Sequence, residues 1–361
     1  MNLHHLLETM AKYEASDLHL QAGSPPQLRI HGKLAPLQTD TLDVAAIEGF
    51  VDQMASDASK AELKKERTAD FAYRVEGLAR FRVATFYQHD TLSVVMRLIP
   101  SDPVPLDELN LPAAVREIAQ IERGLVVVTG TTGSGKSTTL AAMIDYINEK
   151  RNNRIITIED PIEFVHTSKK ALIAQREIGS DTVGFLPALR AALRQDPDVI
   201  LIGELRDQET MATALRAADT GHAVFSTIHT TTAAQTIQRM IAMFPAAERD
   251  LMLLQLSMNL EAVISQRLAR TIDGKGRLPV IEILRGTPLV RKLILDGEID
   301  RLGTVIANGD SGMQLFDQHL AQLYTNDIIS GTEAMRLAEN PEAVSMARTG
   351  ISTGDLAGGL V

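Results

Sequence analysis

The sequence lacks three features that would place it in other classes of protein. None of its 361 residues is cysteine, which excludes a disulfide framework and a thiolate zinc site and fits a reducing compartment. No segment approaches the roughly 20 consecutive apolar residues that are needed to cross a bilayer. An excess of positive charge is also missing, because the formal net charge is −10, which argues against nucleic acid as the main partner.

The first residues lack the features of a signal peptide. The segment MNLHHLLETMAKYEASDLHL has helical apolar spacing and an early Glu8, where a signal peptide has a basic start and an apolar run. The composition is ordinary for a globular protein, with 45% hydrophobic and 23% charged residues. We therefore predict a cytoplasmic protein of two domains, which reaches a membrane only through a partner.

The N-terminal part, residues 1–100, alternates short strands and helices, and we predict a small α+β domain. Helices are predicted over 3–14 and near 43–66, and strands are predicted over 18–20, 27–30, 33–34, 79–86 and 92–99. Four prolines between positions 100 and 112 predict a linker over 101–118.

The remaining chain has the sequence pattern of an α/β domain, which we predict over 119–345. Continuous apolar runs that are typical of buried parallel strands lie at 125–129, 154–158, 199–202 and 223–228, with helical stretches between them. We expect helices to dominate from about 246 to 345. The small and polar residues 346–361 predict a flexible tail.

The segment GTTGSGKS, residues 130–137, fits the P-loop pattern G-x-x-x-x-G-K-[ST] at every constrained position. A predicted strand precedes it and a predicted helix follows, which disfavours the alternative of a glycine-rich turn without a ligand. Glycines let backbone N–H groups curl around phosphates, and the helix N-terminus adds its positive end. The residues expected to bind ATP are Gly130, Thr131, Thr132, Gly133, Ser134, Gly135, Lys136, Ser137 and Thr138. Lys136 is expected to face the β and γ phosphates, and the Ser137 hydroxyl to bind Mg²⁺.

A second element, Asp198–Glu204, has four apolar residues followed by Gly203 and Glu204, the pattern of a Walker B strand. Its carboxylate is expected to meet Mg²⁺ at the carboxyl end of the strand. An acid that only caps the next helix is the alternative, and the preceding P-loop disfavours it.

Three carboxylates, Glu159, Asp160 and Glu163, follow the predicted strand 154–158. Water that attacks a γ-phosphate needs a carboxylate to orient or deprotonate it. We favour Glu163 for this role, because Pro161 ends the strand and redirects the chain toward the site. Glu159 and Asp160 are alternatives as turn caps or cation ligands, and simple solvation of all three is a further one.

His222 and His229 bracket the strand predicted at 223–228. Seven residues of strand span about 23 Å, so both rings cannot share one ligand if the strand is extended throughout. One ring is a candidate to approach the γ-phosphate. A structural hydrogen bond is the alternative for either ring.

Arg80, Arg82 and Arg97 lie on paired strands of the first domain. Arg80 and Arg82 share a face, and Arg97 is expected near them across the hairpin. Arginines on a domain without a P-loop favour arginine fingers supplied to a neighbouring subunit. Surface salt bridges are the more ordinary alternative.

These motifs, in this order, resemble the secretion ATPases of type II secretion and type IV pili, and within them the PilT/PilU retraction ATPases. The resemblance covers nearly the whole chain and rests on the P-loop and on segments 16–20, 156–166, 201–207 and 220–229. It implies a PAS-like α+β N-terminal domain and a RecA-like P-loop ATPase domain with a helical C-terminal part, assembled as a homohexamer.

The resemblance also implies roles for individual residues. The catalytic glutamate of the family falls on Glu163, the Walker B glutamate on Glu204, the histidine box on His222 and His229, and the arginine fingers on Arg82 and Arg97. The implied partners are an inner-membrane pilus platform protein and a second retraction ATPase, which places the protein at the cytoplasmic face of the inner membrane.

The sequence departs from the family pattern at two places. Thr131 stands where proline is usual, and segment 289–296 keeps only Arg291 and the Leu293–Ile294 pair of the PilT-type motif. Segments 86–88, 273–277 and 312–318 look closer to PilU. We predict a hexameric Mg-ATPase that powers pilus retraction, nearer PilU in its C-terminal half.

Three alternatives stay open from sequence. Pilus extension and type II secretion ATPases usually carry an added N-terminal region and a tetracysteine zinc site, which this chain lacks. A non-hydrolysing scaffold has no need of the water-activating carboxylate at Glu163. A DNA translocase is disfavoured by the acidic balance.

Overall fold

Residues 2–100 and 103–346 are described by the structure, a computed structural model, and they form two units. The first unit holds the residues up to 100 together with 161–165, and the second holds 103–160 and 166–346. The predicted tail lies outside the described residues except for Met346, which ends the last helix. The predicted domain bounds stay a prediction.

The first unit contains an antiparallel sheet of six strands in the order β3-β2-β1-β6-β5-β4. One face of this sheet shares an apolar core with three helices, and Leu18, Val83 and Met96 of this core lie side by side on neighbouring strands. Its elements are α1 Leu3–Lys12, β1 Asp17–Gln21, β2 Gln27–Ile30, β3 Lys33–Pro36, α2 Val44–Met54, α3 Asp57–Glu66, β4 Thr68–Val75, β5 Ala79–Gln88 and β6 Thr91–Ile99.

Two local predictions for this unit need correction. The helical stretch near 43–66 is two helices, because Ser56 caps a new helix by accepting a hydrogen bond from the N–H of Ser59 at 3.2 Å. Strand β4, which pairs with β5 at the edge of the sheet, was not predicted. The strands predicted at 79–86 and 92–99 are confirmed as β5 and β6.

The second unit contains seven strands in the order β13-β12-β7-β11-β10-β8-β9, with helices on both faces. All pairs are parallel except β12 with β13. The elements are α4 Ala113–Ala119, β7 Gly124–Thr129, α5 Lys136–Lys150, β8 Arg154–Glu159, β9 Leu172–Glu177, α6 Phe185–Ala192, β10 Val199–Ile202, α7 Gln208–Asp219, β11 Ala223–Ile228, α8 Ala233–Ala242, α9 Arg249–Asn259, β12 Leu260–Arg270, β13 Arg277–Arg285, α10 Pro288–Leu295, α11 Leu302–Ala307, α12 Phe316–Thr325, α13 Gly331–Leu337 and α14 Pro341–Met346. None of the described helices has both the length and the apolar character needed to cross a membrane.

The four predicted parallel strands are confirmed as β7, β8, β10 and β11. The expectation that helices dominate from about 246 to 345 is wrong for residues 260–285, which form the hairpin of β12 and β13. This hairpin is buried over most of its length. The sequence of a mostly apolar buried segment does not distinguish a strand from a helix, because too few polar residues mark its periodicity.

The hairpin carries a buried carboxylate, Glu282, whose side chain accepts a hydrogen bond from the N–H of Ala233 at 2.7 Å. Burial raises the pKa of Glu282 from its ordinary 4.5 to about 7, and the nearby carboxylates Glu339 and Asp317 act in the same direction. The Ala233 bond and the Arg267 charge act against this rise.

We predict that Glu282→Gln flattens the pH dependence of stability. The folded chain keeps a proton on Glu282 where the unfolded chain has lost it, so the free energy of unfolding falls as pH rises from 4.5 to about 7. The full shift corresponds to at most about 3 kcal/mol. Denaturant unfolding should be measured at several pH values. The free energy of unfolding of the variant should rise relative to that of the wild type between pH 4.5 and about 7, and the difference between the two should be constant above pH 7.

The comparison between the two proteins isolates Glu282 from other buried groups. Burial lowers the pKa of His319 to about 4, which gives a pH dependence of opposite sign in wild type and variant alike. Parallel stability profiles for the two proteins would contradict the prediction.

Candidate functional site

The P-loop joins the end of β7 to the start of α5, at the carboxyl edge of the parallel strands. Three of its glycines have positive φ: Gly130 at 145°, Gly133 at 78° and Gly135 at 90°. A Cβ on Gly130 would lie 2.4 Å from the carbonyl oxygen of Gln266, and one on Gly135 would lie 2.6 Å from the side-chain nitrogen of Gln266. The loop therefore requires glycine at both positions.

Lys136 and Ser134 supply the polar groups of this loop. The Lys136 side chain is buried, and its Nζ donates to the carbonyl oxygens of Gly130 at 2.9 Å and Thr131 at 3.0 Å. The Ser134 hydroxyl is buried and has no hydrogen-bond partner within the described residues. An orphaned donor and an ammonium at one glycine-rich turn fit a phosphate ligand.

A cavity of about 390 Å³ opens beside the loop, and one of about 630 Å³ lies on its other side against Thr138 and Thr139. Their walls share two arginines, Arg270 and Arg277, which are paired across the end of the hairpin. Glycine-rich backbone with positive charge on both sides suits an anionic ligand that extends past the turn.

Glu204 and His229 meet at the same edge of the sheet. Glu204 follows β10, and His229 follows the neighbouring strand β11. The His229 Nε2 lies 3.6 Å from the Glu204 Oε2, and Arg206 Nε donates to that oxygen at 2.8 Å. Because β7, β11 and β10 are parallel, their carboxyl ends and the P-loop lie along one edge.

His222 lies at the opposite end of β11 from His229. Its Nδ1 is 2.9 Å from the carbonyl oxygen of Ala217 and 3.2 Å from the Thr220 hydroxyl, and its own carbonyl accepts from Gly124 N–H. The structure therefore does not bring His222 to the P-loop edge of its own sheet. The predicted separation of the two rings is confirmed.

The acidic cluster is divided between the two units. Glu159 ends β8 and accepts hydrogen bonds from the Thr157 hydroxyl at 2.6 Å and from Gln175 Nε2 at 3.2 Å. Glu163 lies in segment 161–165, which belongs to the first unit and is tied to it by the Val165 N–H bond to Pro100. The catalytic role of Glu163 stays a prediction.

Arg82 and Arg97 lie directly opposite each other on β5 and β6 of the first unit, as predicted. Arg97 Nε donates to Asp17 at 2.8 Å, and Arg29 lies 3.6 Å from the same carboxylate. Arg82 is exposed and forms no ion pair within the described residues. Because Asp17 pairs with Arg97 and not with Arg82, the Arg82 side chain is available to bind an external anion.

Sequence reasoning missed Gln266, which holds the P-loop from the hairpin. Its Nε2 donates to the Ser134 carbonyl at 2.8 Å, and its Oε1 accepts from the Thr139 hydroxyl at 2.8 Å. The one available signal was the polar pair Ser265–Gln266, which directly follows the apolar residues 262–264. That signal needs the strand assignment, which was also missed.

Comparison with known proteins assigns the family. The family described as Type II/IV secretion system protein matches residues 1–300. The chain belongs to this family. Within it, the type IV pilus retraction ATPase PilT of Pseudomonas aeruginosa is 45% identical over 343 residues, which cover 95% of this chain and 99% of that protein.

Two further family members support this placement. PilU of the same organism, a type IV pilus ATPase, is 40% identical over 341 residues, covering 94% of this chain and 89% of PilU. A crystal structure of the pilus retraction motor PilT with bound ADP matches with a TM-score of 0.89 at 40% identity, covering 95% of this chain and 98% of that one. The predicted likeness of the C-terminal half to PilU stays a prediction.

We predict that Gln266→Leu weakens both the fold and nucleotide binding. The change leaves the Ser134 carbonyl and the Thr139 hydroxyl without their buried partner, which costs about 1–3 kcal/mol of the free energy of unfolding. Because the same bonds hold the P-loop turn, the Kd for a fluorescent ATP analogue should also rise.

The matched control is Gln314→Leu. Gln314 Nε2 donates to the carbonyl oxygen of Ile281, which lies on β13 of the same hairpin, at 2.9 Å. Gln314 is not among the residues that line either cavity. This variant should lose stability and keep its nucleotide affinity. Equal changes in affinity for the two variants would show that Gln266 only stabilises the fold.

Proposed function

We propose that this protein is an ATPase motor that hydrolyses ATP to power type IV pilus retraction and twitching motility. The observation that carries the proposal is the match to PilT over 99% of that protein, with the P-loop intact. A pilus extension or secretion ATPase is less well supported, since the type II secretion proteins E that the chain matches are 35–37% identical to it, against 45% for PilT.

The described geometry supports specific roles at the phosphates. We propose that Lys136 compensates the charge of the β and γ phosphates and that the backbone N–H groups of 130–136 bind them. The Ser137 hydroxyl and the Glu204 carboxylate are the proposed Mg²⁺ ligands, and bound Mg²⁺ would neutralise charge on the phosphate oxygens.

Water activation is the proposed role of Glu163. A carboxylate that accepts the proton of the attacking water is typically worth 10²- to 10⁴-fold in rate. For His229, whose Nε2 lies 3.6 Å from Glu204 Oε2, we propose that it senses the γ-phosphate. For His222 we propose a role away from the phosphates of its own chain, because its ring is bonded at the other end of β11.

We further propose a homohexamer in which Arg82 and Arg97 act as fingers on the ATP of a neighbouring subunit. The pairing of the two arginines and the lack of a carboxylate for Arg82 within the described residues support this arrangement. The PAS-like character of the first unit and the RecA-like character of the second belong to the same proposal.

The proposed partners follow from the pilus system. They are an inner-membrane platform protein, through which the motor acts at the cytoplasmic face of the inner membrane, and a second retraction ATPase of the PilT/PilU type. Pseudomonas aeruginosa has both PilT and PilU, and the presence of two such relatives in one organism supports the proposal of a second ATPase.

Two substitutions separate binding from hydrolysis. Lys136→Ala should abolish binding of a labelled ATP analogue, because the phosphates lose their buried counter-charge. Glu163→Gln keeps the shape of the side chain and loses the base, so ATP should still bind while turnover falls by about 100-fold or more.

Glu117→Gln, which changes an exposed carboxylate on α4, is the control and should leave both quantities unchanged. Unchanged turnover in Glu163→Gln would move the role of base to Glu159 or another acid. Wild-type affinity in Lys136→Ala would contradict the P-loop assignment itself.

A further inference from the structure

A row of polar side chains crosses three neighbouring strands of the second unit on one face. Thr129, the last residue of β7 before the P-loop, is paired with Ser265 of β12, which is paired with Glu282 of β13. All three are buried, and the Thr129 hydroxyl donates to the Ser265 hydroxyl at 2.9 Å. In a sheet region that is otherwise apolar, such a row is costly unless every member has a partner.

Helix α8 covers this row and starts only four residues after His229. The Thr236 hydroxyl lies 3.5 Å from the Thr129 hydroxyl and 2.7 Å from that of Thr230, the residue after His229. The loop between β11 and α8 is therefore in contact, through two threonines, with the strand end that starts the P-loop.

Glu282 completes the contact from the other side. Its carboxylate accepts from Ala233 N–H, one of the N–H groups that a helix start leaves without an intrahelical partner. No cation forms an ion pair with Glu282 within the described residues, since Arg267 pairs with Glu339 instead. The carboxyl group of Glu282 therefore faces the N-terminal end of α8 through this one hydrogen bond.

The position of this carboxylate is unusual for a helix cap. Thr232 already caps α8 from within the chain, and its side chain accepts from Gln235 N–H at 3.3 Å. Glu282 lies on β13, 49 positions after Ala233, and fixes Ala233 to the sheet. It thereby sets where the segment from His229 to Thr232 ends.

We propose that Glu282 is a positioning residue for ATP hydrolysis, which holds the start of α8 so that His229 stays against Glu204. The inference rests on the proposed ATPase function. Hydrogen bonds of Thr129 and Thr236 also link this segment to the strand end before the P-loop, so a displacement of the segment is transmitted to the P-loop. Within the described residues, Glu282 forms no hydrogen bond with the P-loop or with Glu204.

The test uses the full chain with three substitutions. Glu282→Gln keeps an oxygen acceptor at the same reach, Glu282→Asp keeps the carboxyl group but is one methylene shorter, and Glu282→Leu removes the acceptor. The matched control is His319→Leu on α12. This change removes another buried acceptor, because the ring Nδ1 of His319 accepts a hydrogen bond from the N–H of Ile281, on the same strand as Glu282, at 3.0 Å.

We expect a loss of kcat in the Leu and Asp variants of about tenfold or more, with the Kd for a labelled ATP analogue nearly unchanged, because misplacement of a site residue has this size of effect. Glu282→Gln should restore most of the rate. His319→Leu should lose stability and keep kcat. Equal kcat in Glu282→Asp, Glu282→Leu and His319→Leu would overturn the proposal, and if the Leu variant does not fold, the Asp and Gln pair decides.

Hydrogen exchange supplies a readout that does not depend on hydrolysis. Without nucleotide, the amides of 230–236 should exchange about tenfold faster in Glu282→Asp than in wild type or Glu282→Gln, because the helix start opens locally. Unchanged exchange there would also overturn the inference. A wild-type protein that lacks ATPase activity would instead contradict the proposed function, and the exchange result would still report on Glu282.

Discussion

The parallel pairing of β7, β11 and β10 is the constraint on which the candidate site depends. Each strand ends at the same edge, so the P-loop, Glu204 and His229 emerge side by side although His229 lies 99 positions after Gly130. The 3.6 Å approach of His229 to Glu204 follows directly from the adjacency of β11 and β10. A strand order that separated these two would disperse the same residues.

The antiparallel hairpin of β12 and β13 supports that edge from the side. On one face Gln266 holds the P-loop turn through two hydrogen bonds, and on the other Ser265 and Glu282 reach the strand end and the start of α8. Neighbouring residues of one strand point to opposite faces, so the adjacent Ser265 and Gln266 serve both sides. The hairpin therefore fixes the two segments that contact a nucleotide in the proposed function.

Sequence patterns predicted those parts of the fold that depend on residues close together in the chain. The P-loop, the four buried parallel strands and the pairing of Arg82 with Arg97 each follow from spacing within one or two segments. The hairpin and Gln266 were not predictable in this way, because a buried apolar run reads alike as helix or strand and because the partners of Gln266 lie more than 120 residues away. The edge strand β4 and strand β9 were missed as well.

We propose that hydrolysis requires an arginine from a neighbouring subunit, and mixing two variants that are each expected to be inactive tests this central proposal most directly. Lys136→Ala keeps Arg82 but lacks a working P-loop, whereas Arg82→Ala keeps the P-loop. Rings that contain both should regain ATPase activity at sites where the two meet in the right order. Replacing the first partner by the Lys136→Ala, Arg82→Ala double variant should abolish the recovery. If sizing shows that mixed rings form and activity stays at the level of the separate variants, the claim is wrong.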